Sequence, residues 1–195
     1  MLLAALPLAV ARPFNAYLLW GWTALLAPTT FFYGWMVGNR VNFLCAVLTL
    51  VLLALGRVPW RDYQPNKVTW LYLLLAAHAT LAFLLAYPGN PYNDQYFEFL
   101  IKGLLFCVVM PFFVRERVHF HAIFIVIALG LGIHGVLNGL KTLASGGGHN
   151  MMGPAGTMLG DRNHLSTALA VVLPVLFYLQ TYAANRLVRL GYLGA

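Results

Sequence analysis

A polar, glycine-rich stretch from Gly146 to Ser166 interrupts the otherwise apolar second half of the sequence. Three consecutive glycines open it: Gly146, Gly147 and Gly148. Glycines permit backbone shapes in which successive N–H groups form a concave anion site. Asp161 or Asn163 can cap the helix that follows, and its start would add partial positive charge beside Arg162. The stretch therefore predicts a loop that binds a phosphate-bearing ligand. The alternative is a flexible loop that ends in an ordinary helix cap.

Other side chains extend this predicted anion site. Lys141 precedes the glycines, and Asn163 follows Arg162. Lys102 follows Glu98 by four residues near the expected outer end of a span, so it either neutralises that glutamate or faces a ligand's negative charge. His164 lies at the helix start, where the helix dipole disfavours a protonated ring. A neutral imidazole there could accept a proton, which makes His164 the candidate catalytic residue.

A second polar segment contains Tyr92, Asp94 and Tyr96. Aromatic rings together with polar side chains suit a sugar, which has apolar faces and many hydroxyl groups. The sequence therefore predicts sugar contacts at these three residues. The alternative is a belt of aromatic residues at the membrane surface.

The composition indicates an integral membrane protein. Of 195 residues, 61% are hydrophobic and 9% are charged, whereas a typical soluble domain is about 25% charged. The net charge of +7 could indicate nucleic acid, but the charges lie in short loops between apolar runs, as membrane topology requires. We therefore expect a lipid bilayer, and no nucleic acid, as a partner. Cys45 and Cys107 lie inside apolar runs and read as buried thiols. No cluster with metal-ligand spacing is present, so no metal is predicted.

The apolar runs predict an all-α, polytopic bundle of about six to seven membrane segments in a single domain. Residues 2–27 are interrupted at Arg12-Pro13, which fits two short helices better than one bent span. The motif-bearing loop covers about residues 139–163. Five later spans are clearer: Val41–Gly56, Val68–Tyr87, Glu98–Val114, His119–Asn138 and His164–Ala184. Two of them contain a histidine, His78 and His134, expected to hydrogen-bond across helices rather than to shuttle protons.

Lysine and arginine predict the orientation. Seven of them share one side if the five spans alternate: Arg57, Arg61, Lys67, Arg115, Arg117, Arg186 and Arg189. The other side has Arg40, Lys102, Lys141 and Arg162. The richer side is expected in the cytoplasm, so the Gly146 loop faces outward. Trp60 and Trp70 bracket the first cytoplasmic loop, as interfacial anchors would.

The most specific motifs lie between Gly130 and Pro174. They are the run from Gly130 to Gly147, the pair Gly153-Pro154, the run Asp161 to Leu165, and Leu173-Pro174. Together they resemble the bacterial O-antigen-ligase-like proteins, and most closely the O-glycosylation ligases associated with exosortase A.

This resemblance implies a multi-pass inner-membrane glycosyltransferase. Such an enzyme moves a glycan from a polyprenyl-pyrophosphate carrier to an acceptor hydroxyl on the periplasmic side, with basic residues on the pyrophosphate and no cofactor. The chain departs from the family pattern at Leu137-Asn138, where members often have Lys-Gly; Lys141 lies nearby. It resembles the amino-terminal half of these proteins, whose large periplasmic loop with its histidine would lie beyond Ala195. A separate carboxy-terminal half or other cell-envelope assembly proteins are therefore expected partners.

Two other functions remain open from the sequence. A transporter or channel subunit would need charged residues along a path through the bilayer. A catalytically inactive scaffold would only assemble with other membrane proteins.

Overall fold

A computed structural model of the protein describes residues 2–31, 40–58, 63, 66–86, 90–183 and 185–194. Within these residues the chain forms eight α-helices and no strand: Leu2–Ala11 (α1), Pro13–Leu26 (α2), Val41–Ala54 (α3), Lys67–Leu85 (α4), Pro91–Phe113 (α5), Arg117–Ala144 (α6), Arg162–Tyr182 (α7) and Arg186–Gly194 (α8). The predicted all-α fold is therefore confirmed. Trp60 and Arg61, and the predicted span ends Tyr87 and Ala184, lie outside the described residues.

Four of the described helices are long and apolar enough to cross a membrane, namely α4, α5, α6 and α7. They indicate a multi-pass membrane protein, with fewer full-length spans than the six to seven expected from the sequence. Helix α3 has only 14 residues, which gives about 21 Å against a hydrocarbon core of about 30 Å. It ends early because Gly56 takes a left-handed conformation (φ 69°). The Gly56 and Arg57 N–H groups then bond back to Leu53 and Leu52, which closes the helix.

The amino-terminal segment forms two short helices that meet at Arg12, as the sequence predicts. Arg12 is extended, with φ −130°, and Pro13 is the first residue of α2. A proline is favoured there because its missing N–H would have no partner in the first turn. The Asn15 side chain donates to the Leu8 carbonyl at 3.2 Å and so ties the two helices together across the break.

Helix α2 lies at the centre of the bundle and packs against α1, α3, α5 and α6. Its Tyr17 is fully buried and stacks on Phe106 and Phe113 of α5, with ring centroids 4.4 Å and 5.2 Å away. The Tyr17 hydroxyl donates to the Phe106 carbonyl at 3.2 Å. Stacked rings with a satisfied hydroxyl stabilise a buried tyrosine, so this cluster fixes the position of α5 relative to α2.

Two of the long helices begin or end several residues from their predicted limits. Helix α5 begins at Pro91 rather than Glu98, because the Asn90 side chain caps it by accepting from the Tyr92 N–H at 3.1 Å. Helix α6 continues past Asn138 to Ala144. Lys141 therefore belongs to the last turn of α6, and the connection to α7 runs over residues 145–161 instead of 139–163.

The lysine and arginine distribution predicts which side of the bundle faces outward, and this orientation is the first testable prediction. Reporter fusions after Arg117, at the start of α6, should read cytoplasmic, and fusions after Gly147 should read periplasmic. A fusion after Pro65, which lies outside the described residues, should read cytoplasmic as well. A cytoplasmic signal at Gly147 would contradict the predicted orientation, in which the α6–α7 connection faces outward.

Helices α2 and α6 approach closely at Gly130, which gives a second prediction. A Cβ at Gly130 would lie 2.8 Å from the Leu25 Cβ, whereas a Cβ at Gly132 would meet no atom within 4 Å. Small residues allow such close packing of membrane helices. Gly130→Ala should therefore lose about 1–3 kcal/mol through overpacking and melt at lower temperature in detergent. Gly132→Ala is the matched control and should melt at or above the parent, because alanine favours helix. Equal melting of the two variants would contradict the α2–α6 contact.

Candidate functional site

The first turns of α5 present a polar and aromatic face. Tyr92, Gln95, Tyr96 and Phe99 are three or four residues apart and therefore lie on one side of the helix. The rings of Tyr92 and Tyr96 have centroids 6.5 Å apart. Because Asn90 starts the helix here rather than seven residues later, the tyrosines belong to a rigid helix and not to a loop.

The α6–α7 connection folds into a compact turn opposite that face. Thr157 organises it: its hydroxyl donates to the Pro154 carbonyl at 2.8 Å and accepts from the Leu159 N–H at 3.2 Å. Gly156 has a left-handed φ of 73°. Gly153 lies so close to the Leu159 carbonyl that any Cβ would clash with it. The glycines of this segment therefore serve the tight fold of the connection itself.

A cleft of about 280 Å³ lies between these two elements. The α5 side contributes Tyr92, Gln95, Tyr96 and Phe99, and the other side contributes residues 155–158, Gly160, Asp161 and His164. The cleft thus brings together two of the three predicted sugar contacts and the predicted catalytic histidine. Asp94, the third predicted sugar contact, is exposed in the first turn of α5 and is not part of the lining.

The chemical character of this cleft is neutral to acidic. Its described lining contains one carboxylate, one imidazole, two tyrosines and a glutamine, but no lysine or arginine. Tyrosine rings can cover the C–H face of a sugar, and the hydroxyl, amide and carboxylate groups can bond to sugar hydroxyls. Its volume lies just below the range of about 300–1,000 Å³ for small-molecule pockets. The cleft therefore suits a small polyhydroxyl group better than a pyrophosphate.

The N–H groups of the three glycines predicted to bind phosphate donate to carbonyls at the end of α6. Gly146 donates to Leu143, Gly147 to Thr142, and Gly148 to Ser145, at 2.9–3.3 Å. Gly146 and Gly147 have φ of 61° and 92°. This arrangement satisfies the last carbonyls of α6, as glycines after a helix commonly do. These three N–H groups are therefore engaged within the turn that closes α6, and the phosphate contact of the glycines stays a prediction.

The first turn of α7 is capped by a carboxylate of the chain itself. The Asp161 carboxylate accepts from the Asn163 N–H at 2.7 Å and caps the helix, as one of the two predicted alternatives. It also interacts favourably with the positive end of the helix dipole. Arg162 and Asn163 are exposed beside it. Arg162 directly follows the cleft residue Asp161 and precedes the cleft residue His164 by two positions, but it does not line the cleft itself.

A buried polar network in the carboxy-terminal part of α6 was not recognised from the sequence as a unit. His134 and Asn138 are both buried, and the spacing of four that places them on one face was the available signal. His134 Nε2 donates to the Leu26 carbonyl at 3.1 Å, at the end of α2. This bond confirms the interpretation that His134 connects two helices. His78, in contrast, is exposed on α4.

The network continues from Asn138 to His149. The Asn138 Nδ2 donates to the His134 carbonyl at 2.9 Å, and its Oδ1 lies 3.2 Å from His149 Nε2. An amide oxygen only accepts, so His149 donates through Nε2, and in the neutral ring Nδ1 is then the acceptor nitrogen. His149 is thus a half-buried imidazole held by Asn138 through Nε2, close to the glycines that follow α6.

The remaining predicted cations are dispersed. Lys102 pairs with Glu98, as the spacing predicts, and both side chains are more than half exposed on the monomer surface. Because α5 begins at Pro91, Lys102 lies at the middle of the span rather than at its outer mouth. Lys141 is exposed on the last turn of α6. Across the described ranges, no group of three or more histidine, cysteine or acidic side chains could hold a metal ion.

Comparisons with known proteins identify one matching family. No curated protein and no solved structure matches the chain. A family profile does match, over residues 1–184, and it covers all of the helices that form the cleft and the α2-centred core. The chain therefore belongs to DUF5935, a family of unknown function.

Proposed function

We propose that the protein binds a polyprenyl-pyrophosphate-linked glycan at the outer face of the bacterial inner membrane and takes part in its transfer to an acceptor hydroxyl. The resemblance of residues 130–174 to O-antigen-ligase-like proteins supports a ligase. The observation that carries the proposal is the outer cleft, where Tyr92 and Tyr96 face the α6–α7 connection and His164. In this proposal the cleft binds the sugar, and the surrounding cations bind the pyrophosphate of the carrier.

The pyrophosphate lies outside the cleft in this proposal. Arg162 and Lys141 are exposed cations on the same outer side, and Arg162 adjoins the cleft residue Asp161. Cationic side chains stabilise the charge that a pyrophosphate leaving group develops. Lys102 is the weaker candidate because Glu98 already neutralises it. The aromatic and hydroxyl groups of the cleft thus contact the sugar, and the cationic side chains contact the phosphates.

Two imidazoles are candidates for the base that activates the acceptor hydroxyl. His164 lines the cleft itself. His149 donates to Asn138 through Nε2, so Nδ1 is the nitrogen that would accept a proton in the neutral ring. A base oriented by a neighbouring hydrogen-bond acceptor is a recurring arrangement in enzymes that activate hydroxyl groups. We keep His164 as the candidate inside the cleft and add His149 as the better oriented ring.

A second function, assembly with another membrane protein, is favoured by one observation. The Glu98–Lys102 pair lies at the middle of α5 yet on the monomer surface. Charged groups at mid-membrane depth are costly against lipid and usually face protein or water. A neighbouring polypeptide that covers this pair would remove that cost. Such a partner is compatible with the ligase proposal and would also serve a scaffold.

Changes at Tyr96 test the proposed sugar contact. We expect Tyr96→Ala to lower affinity for a polyprenyl-pyrophosphate-linked monosaccharide by roughly two- to tenfold, because an aromatic ring contact contributes about 0.5–1.5 kcal/mol. Tyr96→Phe keeps the ring and should lose less. Titration of purified protein in detergent measures both, with the sugar-free carrier as reference. If Tyr96→Ala binds the two carriers as the parent does, the cleft does not hold the sugar.

A further inference from the structure

A second cleft lies at the opposite end of the bundle, between the start of α6 and the end of α7. Its volume is about 750 Å³. Its polar lining comes from Arg117, His121, Tyr178 and Tyr182, and its apolar lining includes Phe120 and Phe124. None of these residues takes part in the outer cleft, so this site is independent of the proposed glycan contacts.

The aromatic side chains of this inner cleft form a connected wall. Tyr178 packs edge-on against Phe124, with centroids 5.1 Å apart, and lies 4.7 Å from Tyr182. His121 faces Tyr178 at 6.0 Å. Contacts from α6 and α7 thus hold the wall in place, so the cleft is a feature of the packed helices and not of a loose loop.

Charge in this region is predominantly positive. In the described part of the chain, Arg117 has no ion-pair or hydrogen-bond partner for its guanidinium, which is exposed at the cleft. Arg186 and Arg189 on α8 lie on the same side of the membrane, and α8 packs against α7. The protein places these cations on the side that the charge rule assigns to the cytoplasm.

We propose that this inner cleft binds one anionic phospholipid of the cytoplasmic leaflet. The Arg117 guanidinium and the Tyr178 and Tyr182 hydroxyls contact the phosphate, and an acyl chain runs along Phe120 and Phe124. Guanidinium groups recognise phosphate through directed, charge-assisted bonds. Basic pockets at the cytoplasmic ends of membrane helices are favourable places for anionic headgroups. The phenylalanines of the lining favour a lipid over a free phosphate ion, which would gain nothing from them.

The test compares lipids, an inorganic anion and matched variants. Native mass spectrometry of the detergent-purified protein would be recorded during titration with dioleoyl-phosphatidylglycerol, dioleoyl-phosphatidylcholine and inorganic phosphate. We expect phosphatidylglycerol to bind roughly tenfold more tightly than phosphatidylcholine, and Arg117→Gln to remove that difference. Arg57→Gln removes an exposed arginine on the same side but outside the cleft and should keep it.

Three results would overturn the proposal. Equal binding of the two lipids would exclude a preference for an anionic headgroup, and an equal loss in Arg57→Gln would assign the preference to general surface charge. Inorganic phosphate that binds as tightly as the lipid would indicate a free-anion site instead. If Arg117→Gln does not fold, Tyr178→Phe decides, because it keeps the aromatic wall and removes only a hydroxyl. Unchanged phosphatidylglycerol preference in that variant would also count against the site.

Discussion

Replacing Leu173 with arginine is expected to abolish accumulation of the protein in the membrane. Leu173 lies near the middle of α7, the last of the four long apolar helices, and 66% of it is exposed on the monomer surface. In a membrane that surface faces lipid. An arginine at the centre of a span costs about 2.5–3.5 kcal/mol on insertion scales, a large fraction of the stability of a typical domain.

The measurement is the amount of protein in the membrane fraction, compared with the parent at equal expression. Leu187→Arg on α8 is the matched control, since Leu187 is 77% exposed but lies outside the four long helices. An arginine there joins Arg186 and Arg189 and should be tolerated. Normal accumulation of Leu173→Arg would mean that α7 does not cross the bilayer with this face toward lipid.

The apolar runs were sufficient to predict the fold class but not the helix ends. The break at Arg12-Pro13 follows from an arginine and a proline together within an apolar run, and the structure confirms it. Proline alone does not decide it, since Pro111 and Pro174 lie inside α5 and α7. The start of α5 was predicted too late because residues 91–97 are polar, and a hydropathy pattern does not distinguish a polar helix turn from a loop. The Asn90 cap decides this locally. The end of α6 was missed for the same reason, since Gly139 and Lys141 break the apolar pattern without breaking the helix.

Only some residues of the candidate site could be predicted from the sequence. Tyr92, Tyr96 and His164 were selected as polar groups on one side of the membrane, and the structure places them in one cleft. The role of the glycines was not predictable, because the same residues can present N–H groups to a ligand or close the preceding helix. Only the observed bonds to Thr142, Leu143 and Ser145 distinguish the two.

The Asn138–His149 contact could not be predicted from the sequence, for a different reason. Its two residues are separated by the end of α6 and by the glycines. Their approach depends on the left-handed conformations of Gly146 and Gly147, which turn the chain back toward the helix. A pattern of spacing within one helix relates His134 to Asn138, but it carries no information about a residue beyond a turn. Tertiary contacts of this kind require the fold.

The proposed pyrophosphate contact of Arg162 carries the largest expected change in ligand affinity. Removal of a hydrogen-bonded charge contact costs about 1.5–3 kcal/mol, which corresponds to roughly ten- to a hundredfold in affinity. Arg162→Ala should therefore weaken binding of a polyprenyl-pyrophosphate-linked sugar by that factor, and Lys141→Ala should act in the same direction. Arg40→Ala provides the control, because Arg40 is also an exposed arginine on the predicted outer side but lies outside the cleft and its adjoining helix start.

The most direct measurement is the dissociation constant of a short-chain polyprenyl-pyrophosphate-linked monosaccharide for the detergent-purified protein and these variants. We predict saturable binding by the parent and by Arg40→Ala, and a ten- to hundredfold loss in Arg162→Ala. Absence of binding by the folded parent, or equal affinity in Arg162→Ala and Arg40→Ala, would contradict the proposal that the outer face of this protein holds a lipid-linked glycan.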